Sequence, residues 1–451
     1  MKNHNIGLWS LVAGFLALSL WPFVGFPITD LDVTHWVGVA LDVAGSGFFL
    51  TSIHDQAHGP LLSWLTAPAL WLFGPSFVVF NVANAVLASA AIGFMIWFSY
   101  RLLGSPILTG LSTLIFATNL MIVYQARTPM YDLPATVFYF IAAGCYLLYL
   151  EKNRTIYVGI AALAAAVGSL SRFSIVLGLM MVFVTLTHWI YRRSMGMWIR
   201  NCLIIVSAIA LINIPWVAGQ TMVHGDAFLN TFFTDNFSRY LADPNPGVPV
   251  SRDYFAFFLT VLWGLSPFTS VLLTGIWQKP LLRSIIQHKA YLAIVAGFIP
   301  CLLIFSFSGH IKLDRYITYV FPFLSIFCAI FLEAICNEKS YRKIFTIVNV
   351  VFLAFLMASL AFFVLRFSAE FKEAGVLVIL AVGSIIFNIA ALTVSVWVWP
   401  SGVKIHPYRL GWVLMASYAV LVTGISVFYS DLSFFEPIHQ KMEALLTNAY
   451  D

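Results

Sequence analysis

The chain has 451 residues, of which 61% are hydrophobic and only 10% are charged, and its mean hydropathy is +0.91. Soluble globular domains carry about 25% charged residues, so this composition excludes a soluble protein and indicates a multi-pass membrane protein. The formal net charge of +5 is a sum over two membrane faces. It therefore gives no indication of a nucleic-acid partner.

Apolar runs recur along the whole chain, and each is long enough to cross a bilayer. We predict an all-α polytopic membrane protein with about 13 transmembrane helices, since roughly 20 apolar residues span a hydrocarbon core of about 30 Å. The first run lacks a small-residue cleavage site, so we interpret it as a retained helix. The predicted spans are 7–29, 76–99, 105–124, 133–150, 156–170, 173–191, 201–219, 254–276, 291–308, 315–335, 345–365, 374–398 and 411–430.

The distribution of Lys and Arg predicts the orientation of these helices. With the N-terminus in the cytoplasm, all but nine of the 24 basic residues fall in cytoplasmic connections. Most of the nine lie at external helix ends, where the positive-inside rule disfavours them, and this indicates an anion-binding site on the outer face. They are Arg127, Arg172, Arg239, Arg252, Lys312, Arg315, Arg366, Lys372 and Lys441.

The external segment after the first span is unusually rich in acids and histidines for so apolar a chain. It contains Asp30, Asp32, Asp42, Asp55, His35, His54 and His58. Apolar residues at helical spacing predict a helix over 31–45 that lies at the membrane interface. A second interfacial or re-entrant helix is predicted over 61–74, which is too short to span comfortably. This segment is the first place to look for catalytic carboxylates.

Three further external segments carry charges at helix ends. The connection YQARTPMYDLP places Arg127 and Asp132 five residues apart, and two roles stay open for them, an ion pair that joins two helix ends and a catalytic site. Arg172 interrupts the apolar sequence between the spans at 156–170 and 173–191, where it serves a site or snorkels to the interface. The polar loop over 220–253 is long enough to be a lid.

The segment SFSGHIKLDRYITYVFP is the best candidate phosphate site. His310, Lys312 and Arg315 lie within six residues of one another at the external surface, followed by Tyr316. The chain contains no glycine-rich nucleotide loop and no Cys/His metal motif. An external active site without a nucleotide implies a donor that the membrane itself carries.

These segments together resemble the glycosyltransferase C (GT-C) superfamily, in the polyprenyl-phosphate-sugar-dependent branch that contains 4-amino-4-deoxy-L-arabinose transferases and protein O-mannosyltransferases. TDLDVTHW resembles the acidic motif after the first helix, with Val33 and His35 where the family has Glu and Arg. QAHGPLLSW resembles the His-Pro-Pro motif, with Gly59 at its second position. ARTPMYDLP, LSRFSIVLG, DNFSRYL with Arg239, and SGHIKLDRYITYVFP resemble four further motifs in the family's order.

The resemblance covers residues 7–335 and implies a division of the chain. Residues 1–335 would form the catalytic region, with external loops over 30–75 and 220–253. Residues 336–451 would add transmembrane helices and a short external tail. The localisation implied is the inner (plasma) membrane, with the active site facing the periplasm or exterior.

The resemblance also implies an inverting transfer from a polyprenyl-phosphate-linked sugar to a lipid, glycan or protein acceptor. Asp32 and Asp132 would be the catalytic carboxylates, and carboxylate base catalysis is worth typically about 10²–10⁴-fold. The donor phosphate would be bound by Lys312 and Arg315, with Arg172 and His58 behind them. Supporting roles fall to Asp30, His35, Arg127, Arg239, His310 and Tyr316.

Two alternatives remain at this point. Asp30 and Asp32 have the spacing of a divalent-metal pair, although the other motifs resemble the metal-independent branch, for which no cofactor is expected. A transporter or lipid flippase would also have many spans and intramembrane charges. Such a protein is expected to carry its charges near mid-span and to show Gly/Pro-broken helices in two repeated halves, whereas here the charges gather at external helix ends and no repeat is found.

Overall fold

A computed structural model describes residues 2–20, 31–46, 59–238, 254–308, 314–366, 375–398 and 409–417. The regular elements in these residues are helices, as the sequence predicts. Helices α1 to α18 are, in order, Lys2–Ser19, Leu31–Ser46, Leu61–Phe73, Phe77–Leu103, Pro106–Ala117, Leu120–Ala126, Asp132–Lys152, Ile156–Ser169, Phe173–Tyr191, Met195–His224, Asp226–Phe233, Ala256–Gly264, Thr269–Trp277, Lys279–Gln287, Lys289–Phe307, Phe321–Asn337, Lys339–Arg366 and Gly375–Val398. A π-helical turn, Thr234–Ser238, a 3-10 helix, Asp314–Val320, and a helical stretch over 409–417 complete the description.

Two helices, α7 and α16, form the centre of the bundle and are buried along most of their length. Edge-to-face aromatic contacts join them, with the rings of Phe140 and Phe323 centred 5.3 Å apart. Helix α7 has 21 residues, and at 1.5 Å per residue it is about 30 Å long. Its first residue, Asp132, and its last, Lys152, therefore lie at opposite ends of the bundle.

The two interfacial segments predicted in the first external loop are helical in the structure. Helices α2 and α3 pack against each other, and the indole N–H of Trp71 donates a hydrogen bond to the carbonyl of Ala44 at 2.8 Å. Both contribute to a buried apolar cluster that includes Met130 and Tyr131, just before α7. The two helices therefore lie at the end of the bundle where α7 begins.

Two spans that the sequence predicts as continuous helices, 105–124 and 254–276, are each bent in the structure. Helices α5 and α6 meet at 57°, because Asn119 interrupts the run and its side chain accepts hydrogen bonds from the backbone N–H groups of Met121 and Ile122. Helices α12 and α13 meet at 114°, and Pro267, which has no N–H to donate, lies between them. Polar capping and proline chemistry thus override the apolar character of these runs.

The chain is a multi-pass integral membrane protein. Among the described residues, six helices are long and apolar enough to cross a membrane, or eight if each bent pair counts as one span. The predicted spans at 7–29 and 411–430 extend beyond the described residues, so the count of 13 remains a prediction. The division of the chain at residue 335 also remains a prediction.

Candidate functional site

Asp132 is the centre of the most strongly charged buried site that the structure describes. Its side chain is 0% exposed, and it is the first residue of α7. Arg172 approaches it as a fork, with Nε 3.2 Å from Oδ1 and Nη2 donating to Oδ2 at 3.2 Å. Arg315 reaches the same carboxylate, with Nε 3.5 Å from Oδ2. One acid therefore holds two arginines that are 143 residues apart in the chain.

Both arginines also contact one aromatic ring. The guanidinium carbons of Arg172 and Arg315 lie 5.6 Å and 5.5 Å from the centre of the Tyr316 ring, within the range of cation–π attraction. We call Asp132, Arg172, Arg315 and Tyr316 the arginine cluster. Its two arginines are 8% and 7% exposed. Buried charge of this kind is costly unless it is paired or serves a ligand.

Breaks between helices position the two arginines. Arg172 lies in the short turn between α8 and α9, so its side chain is not constrained to a helix face. Arg315 is the second residue of the 3-10 helix. Its neighbour Asp314 accepts a hydrogen bond from the hydroxyl of Thr260 at 2.6 Å, which joins this segment to α12. The ion pair that the structure describes for Arg315 is with Asp132.

Arg127 does not form the predicted ion pair with Asp132. It follows α6, and its guanidinium donates a hydrogen bond to the backbone carbonyl of Leu18 on α1. The turn over 127–131 separates Arg127 from the first residue of α7, so proximity in sequence does not bring the charges together. Burial lowers the pKa of Arg127 to about 10, which leaves it protonated at neutral pH. Its visible role is to join α1 to the start of α7.

Asn84, on α4, fixes the turn that leads into Asp132. Its side-chain amide donates hydrogen bonds to the carbonyls of Thr128 at 2.6 Å and Met130 at 3.3 Å. Asn84 is not among the site residues predicted from the sequence. The available signal was a pair of asparagines, Asn81 and Asn84, in an apolar run, where a buried polar side chain is costly unless it has partners.

Gly59 has a steric reason to be glycine. A Cβ at this position would lie 2.0 Å from the carbonyl oxygen of Leu170, which also accepts a hydrogen bond from the N–H of Leu61 at 3.3 Å. The start of α3 thus packs directly on the backbone of the turn that carries Arg172. This close approach explains why glycine stands where the resembling motif has proline.

Several predicted site residues lie outside the described part of the chain, namely Asp30, His58, Arg239, His310 and Lys312. Asp32 and His35 are in the first turns of α2, where only the backbone is described. Among the side chains that the structure describes, no group of three or more His, Cys, Asp or Glu residues is placed to hold a metal. The roles predicted for these residues, and the metal question at Asp30 and Asp32, remain predictions.

The opposite end of α7 carries a separate group of basic residues. Arg193 donates to the carbonyl of Leu150 at 2.6 Å, and Arg200 donates to the hydroxyl of Tyr149 at 2.7 Å. Charged residues thus gather at both ends of the bundle, and the arginine cluster lies at the end beside α2 and α3. The assignment of these ends to cytoplasm and exterior remains a prediction.

The fold of the chain is similar to that of solved membrane-protein structures. Two crystal structures of ArnT from Cupriavidus metallidurans, one bound to undecaprenyl phosphate and one in the apo state, match it with a TM-score of 0.74 each. In each case the sequence identity is 16%, and the match covers 92% of this chain and 76% of the ArnT chain. No family model and no curated protein matches the sequence. The structural likeness establishes the fold, and the activity is a separate question.

Proposed function

We propose that this protein is an integral membrane glycosyltransferase that moves a sugar from a polyprenyl-phosphate donor to an envelope acceptor. The observation that carries the proposal is the arginine cluster, in which the positively charged side chains of Arg172 and Arg315 meet at one end of the bundle. A lipid-linked phosphate has the complementary charge, and arginine binds phosphate oxygens through its planar fork. The GT-C fold and the undecaprenyl phosphate bound to one ArnT structure support the same donor class.

The proposed reaction is a single displacement with inversion. An oxygen of the acceptor attacks the anomeric carbon, and the bond from that carbon to the phosphate oxygen breaks. The electron pair leaves with the polyprenyl phosphate, and Arg172 and Arg315 stabilise the charge that develops there, which is often the largest catalytic term. Asp32 would orient an acceptor hydroxyl and accept its proton. With a phosphate acceptor no proton is removed, and Asp32 would only position it.

Asp132 has a different role in this proposal from the one predicted for it. A carboxylate that is fully buried and paired with two arginines is poorly placed to take a proton from a substrate. It instead orients both guanidinium groups and offsets part of their mutual repulsion. We therefore assign Asp132 as a positioning residue, and we leave the base to Asp32.

The acceptor class stays open between lipid A, another glycan and a protein hydroxyl, and the proposed location is the outer face of the inner membrane. A transporter or flippase is less well supported. Asp132 is the first residue of α7, which is long enough to cross the membrane, so the arginine cluster lies near one end of the bundle. A transported solute would instead require a site near mid-membrane.

Binding of undecaprenyl phosphate to the purified protein tests the proposal. We expect Arg172→Ala and Arg315→Ala each to weaken binding by roughly 10-fold or more, since a hydrogen bond to a charged group contributes about 1.5–3 kcal/mol. Arg154→Ala is the matched control, because Arg154 is an exposed arginine at the opposite end of α7. Equal affinity in all four proteins would remove the arginine cluster from the donor site.

A further inference from the structure

Tyr131, the residue immediately before Asp132, contacts three structural elements at once. Its side chain is 1% exposed. Its hydroxyl is hydrogen-bonded to that of Ser63 on α3, with the oxygens 3.1 Å apart. Its ring meets the indole of Trp36 on α2 edge-on, with the ring centres 4.3 Å apart. Its backbone carbonyl accepts a hydrogen bond from the hydroxyl of Ser171 at 2.7 Å.

These contacts connect the arginine cluster with helix α2, whose relative positions matter for the proposed reaction. Ser171 directly precedes Arg172, and Tyr131 directly precedes Asp132, so one end of the contact set lies on the arginine cluster. Trp36 lies four residues after Asp32 on α2, which is about 6 Å along a helix axis. The other end of the contact set therefore lies on the helix that carries the predicted catalytic carboxylate.

Helix α2 has few other attachments in the described residues. Its main packing partner is α3, which is itself a short helix beside the bundle rather than one of its central helices. The contact between Trp36 and Tyr131 is a direct link from α2 to the turn that begins α7. Loss of this link would remove a direct connection between α2 and the turn that begins α7.

We propose that Tyr131 is a positioning residue that fixes α2, and with it Asp32, relative to the arginine cluster. The inference rests on the proposed function, in which a carboxylate on α2 and a phosphate at the cluster act on the same anomeric carbon. Displacement chemistry is sensitive to the alignment of the reacting atoms, and a misplacement of about 1 Å can cost on the order of 10²-fold in rate. A rigid connection between the two groups is therefore a catalytic requirement.

The test measures the distance between α2 and α9 by double electron–electron resonance in the full-length protein in nanodiscs. Spin labels are placed at Gly45→Cys on α2 and Gly178→Cys on α9, since both glycines are exposed and a Cβ at either would meet no atom within 4 Å. Cys202, which is partly exposed, is replaced by Ser, and the four buried cysteines are retained. Helix α9 reports the position of the cluster because it begins directly after Arg172.

We expect Tyr131→Leu, which loses both the ring contact and the hydroxyl, to broaden or shift the distance distribution. Tyr131→Phe keeps the ring and should have a smaller effect in the same direction. Ser63→Ala should have the same effect as Tyr131→Phe, because both changes remove the same hydrogen bond. The double variant should therefore show no larger effect than either single variant. Tyr139→Phe is the control. Tyr139 is a buried tyrosine, like Tyr131, but it lies within α7, and its hydroxyl donates a hydrogen bond to the carbonyl of Gly297 at 3.1 Å.

Affinity for undecaprenyl phosphate, measured on the same variants, separates positioning from general destabilisation. It should stay within about 2-fold of wild type in Tyr131→Phe, because both cluster arginines are retained and the lost hydrogen bond, between Tyr131 and Ser63, lies outside the cluster. If both Tyr131 variants give the same distance distribution as the Tyr139→Phe control, the inference is overturned. If Tyr131→Leu does not fold, Tyr131→Phe decides. Absence of lipid binding by the wild-type protein would refute the proposed function, whereas the distance result bears on Tyr131 alone.

Discussion

Replacing Asp132 by Asn removes one negative charge from the centre of the arginine cluster and keeps the size of the side chain. The carboxylate is paired with Arg172 and Arg315 at 3.2–3.5 Å. A phosphate bound on the far side of the guanidinium groups would lie about 7 Å from it. Removal of a like charge at that distance is worth roughly 2.4 kcal/mol at an effective dielectric constant of about 20. Asp132→Asn should therefore bind a phosphate more tightly, although it loses a buried ion pair.

The variant also holds Arg172 and Arg315 less firmly. The lost hydrogen bonding offsets the gain in phosphate binding by about 1 kcal/mol. The net expectation is an affinity for undecaprenyl phosphate about 10-fold higher than that of wild type at low salt, since about 1.4 kcal/mol is a factor of ten. The apo variant should also unfold at a lower temperature, because removal of one partner from a buried pair costs about 3–5 kcal/mol. The lipid should then raise its unfolding temperature more than that of wild type.

The assay is titration of undecaprenyl phosphate against the protein in nanodiscs, with thermal unfolding measured on the same samples. Glu338→Gln is the control, because Glu338 is exposed and directly follows α16 at the end remote from Arg315, so this variant removes the same charge away from the cluster. A well-folded Asp132→Asn protein that binds the lipid 10-fold more weakly than wild type would refute the reasoning. That result would mean that the orientation of Arg172 and Arg315 by the carboxylate contributes more to lipid binding than its negative charge subtracts.

Three further predictions follow from the close packing, the charge distribution and the acidic helix. Gly59→Ala should lower the unfolding temperature and the yield, because its Cβ would lie 2.0 Å from a backbone oxygen, whereas Gly45→Ala, with open space around it, should be neutral. In intact cells an impermeant thiol reagent should label a cysteine at Asn245 and not one at Ser194; the reverse pattern would overturn the orientation. Asp32→Asn should reduce transfer by roughly 10²-fold or more with normal expression, and near wild-type activity would move the base elsewhere.

The helical segments beside the membrane could be predicted because their signals are local. Apolar residues at helical spacing define α2, and Pro60 before α3 marks a helix start. The bends at Asn119 and Pro267 were missed although both residues are visible in the sequence. A hydropathy window averages over one polar residue or proline inside an apolar run, whereas the backbone responds to each of them individually.

The charged residues of the site were identified from the sequence, but their partners were not. Arg172 and Arg315 stood out because they oppose the general charge bias, a signal that needs no structure. Their convergence on Asp132 depends on how α7, α8 and α16 pack, and it could not follow from spacing. Arg127 illustrates the converse, since a residue five positions from an acid is directed to another helix. Tyr131 had no sequence signal, because a tyrosine in an apolar chain resembles any other core aromatic.

The central claim is that the protein transfers a sugar from a polyprenyl-phosphate donor, and mass spectrometry of envelope lipids and glycans tests it most directly. Cells with and without the gene are compared, and the deletion strain is complemented with wild type, Asp32→Asn or Arg315→Ala. The account predicts that one sugar-bearing species is lost on deletion, restored by wild type and not restored by either variant at equal expression. Identical profiles in the presence and absence of the gene, or full restoration by both variants, would contradict it.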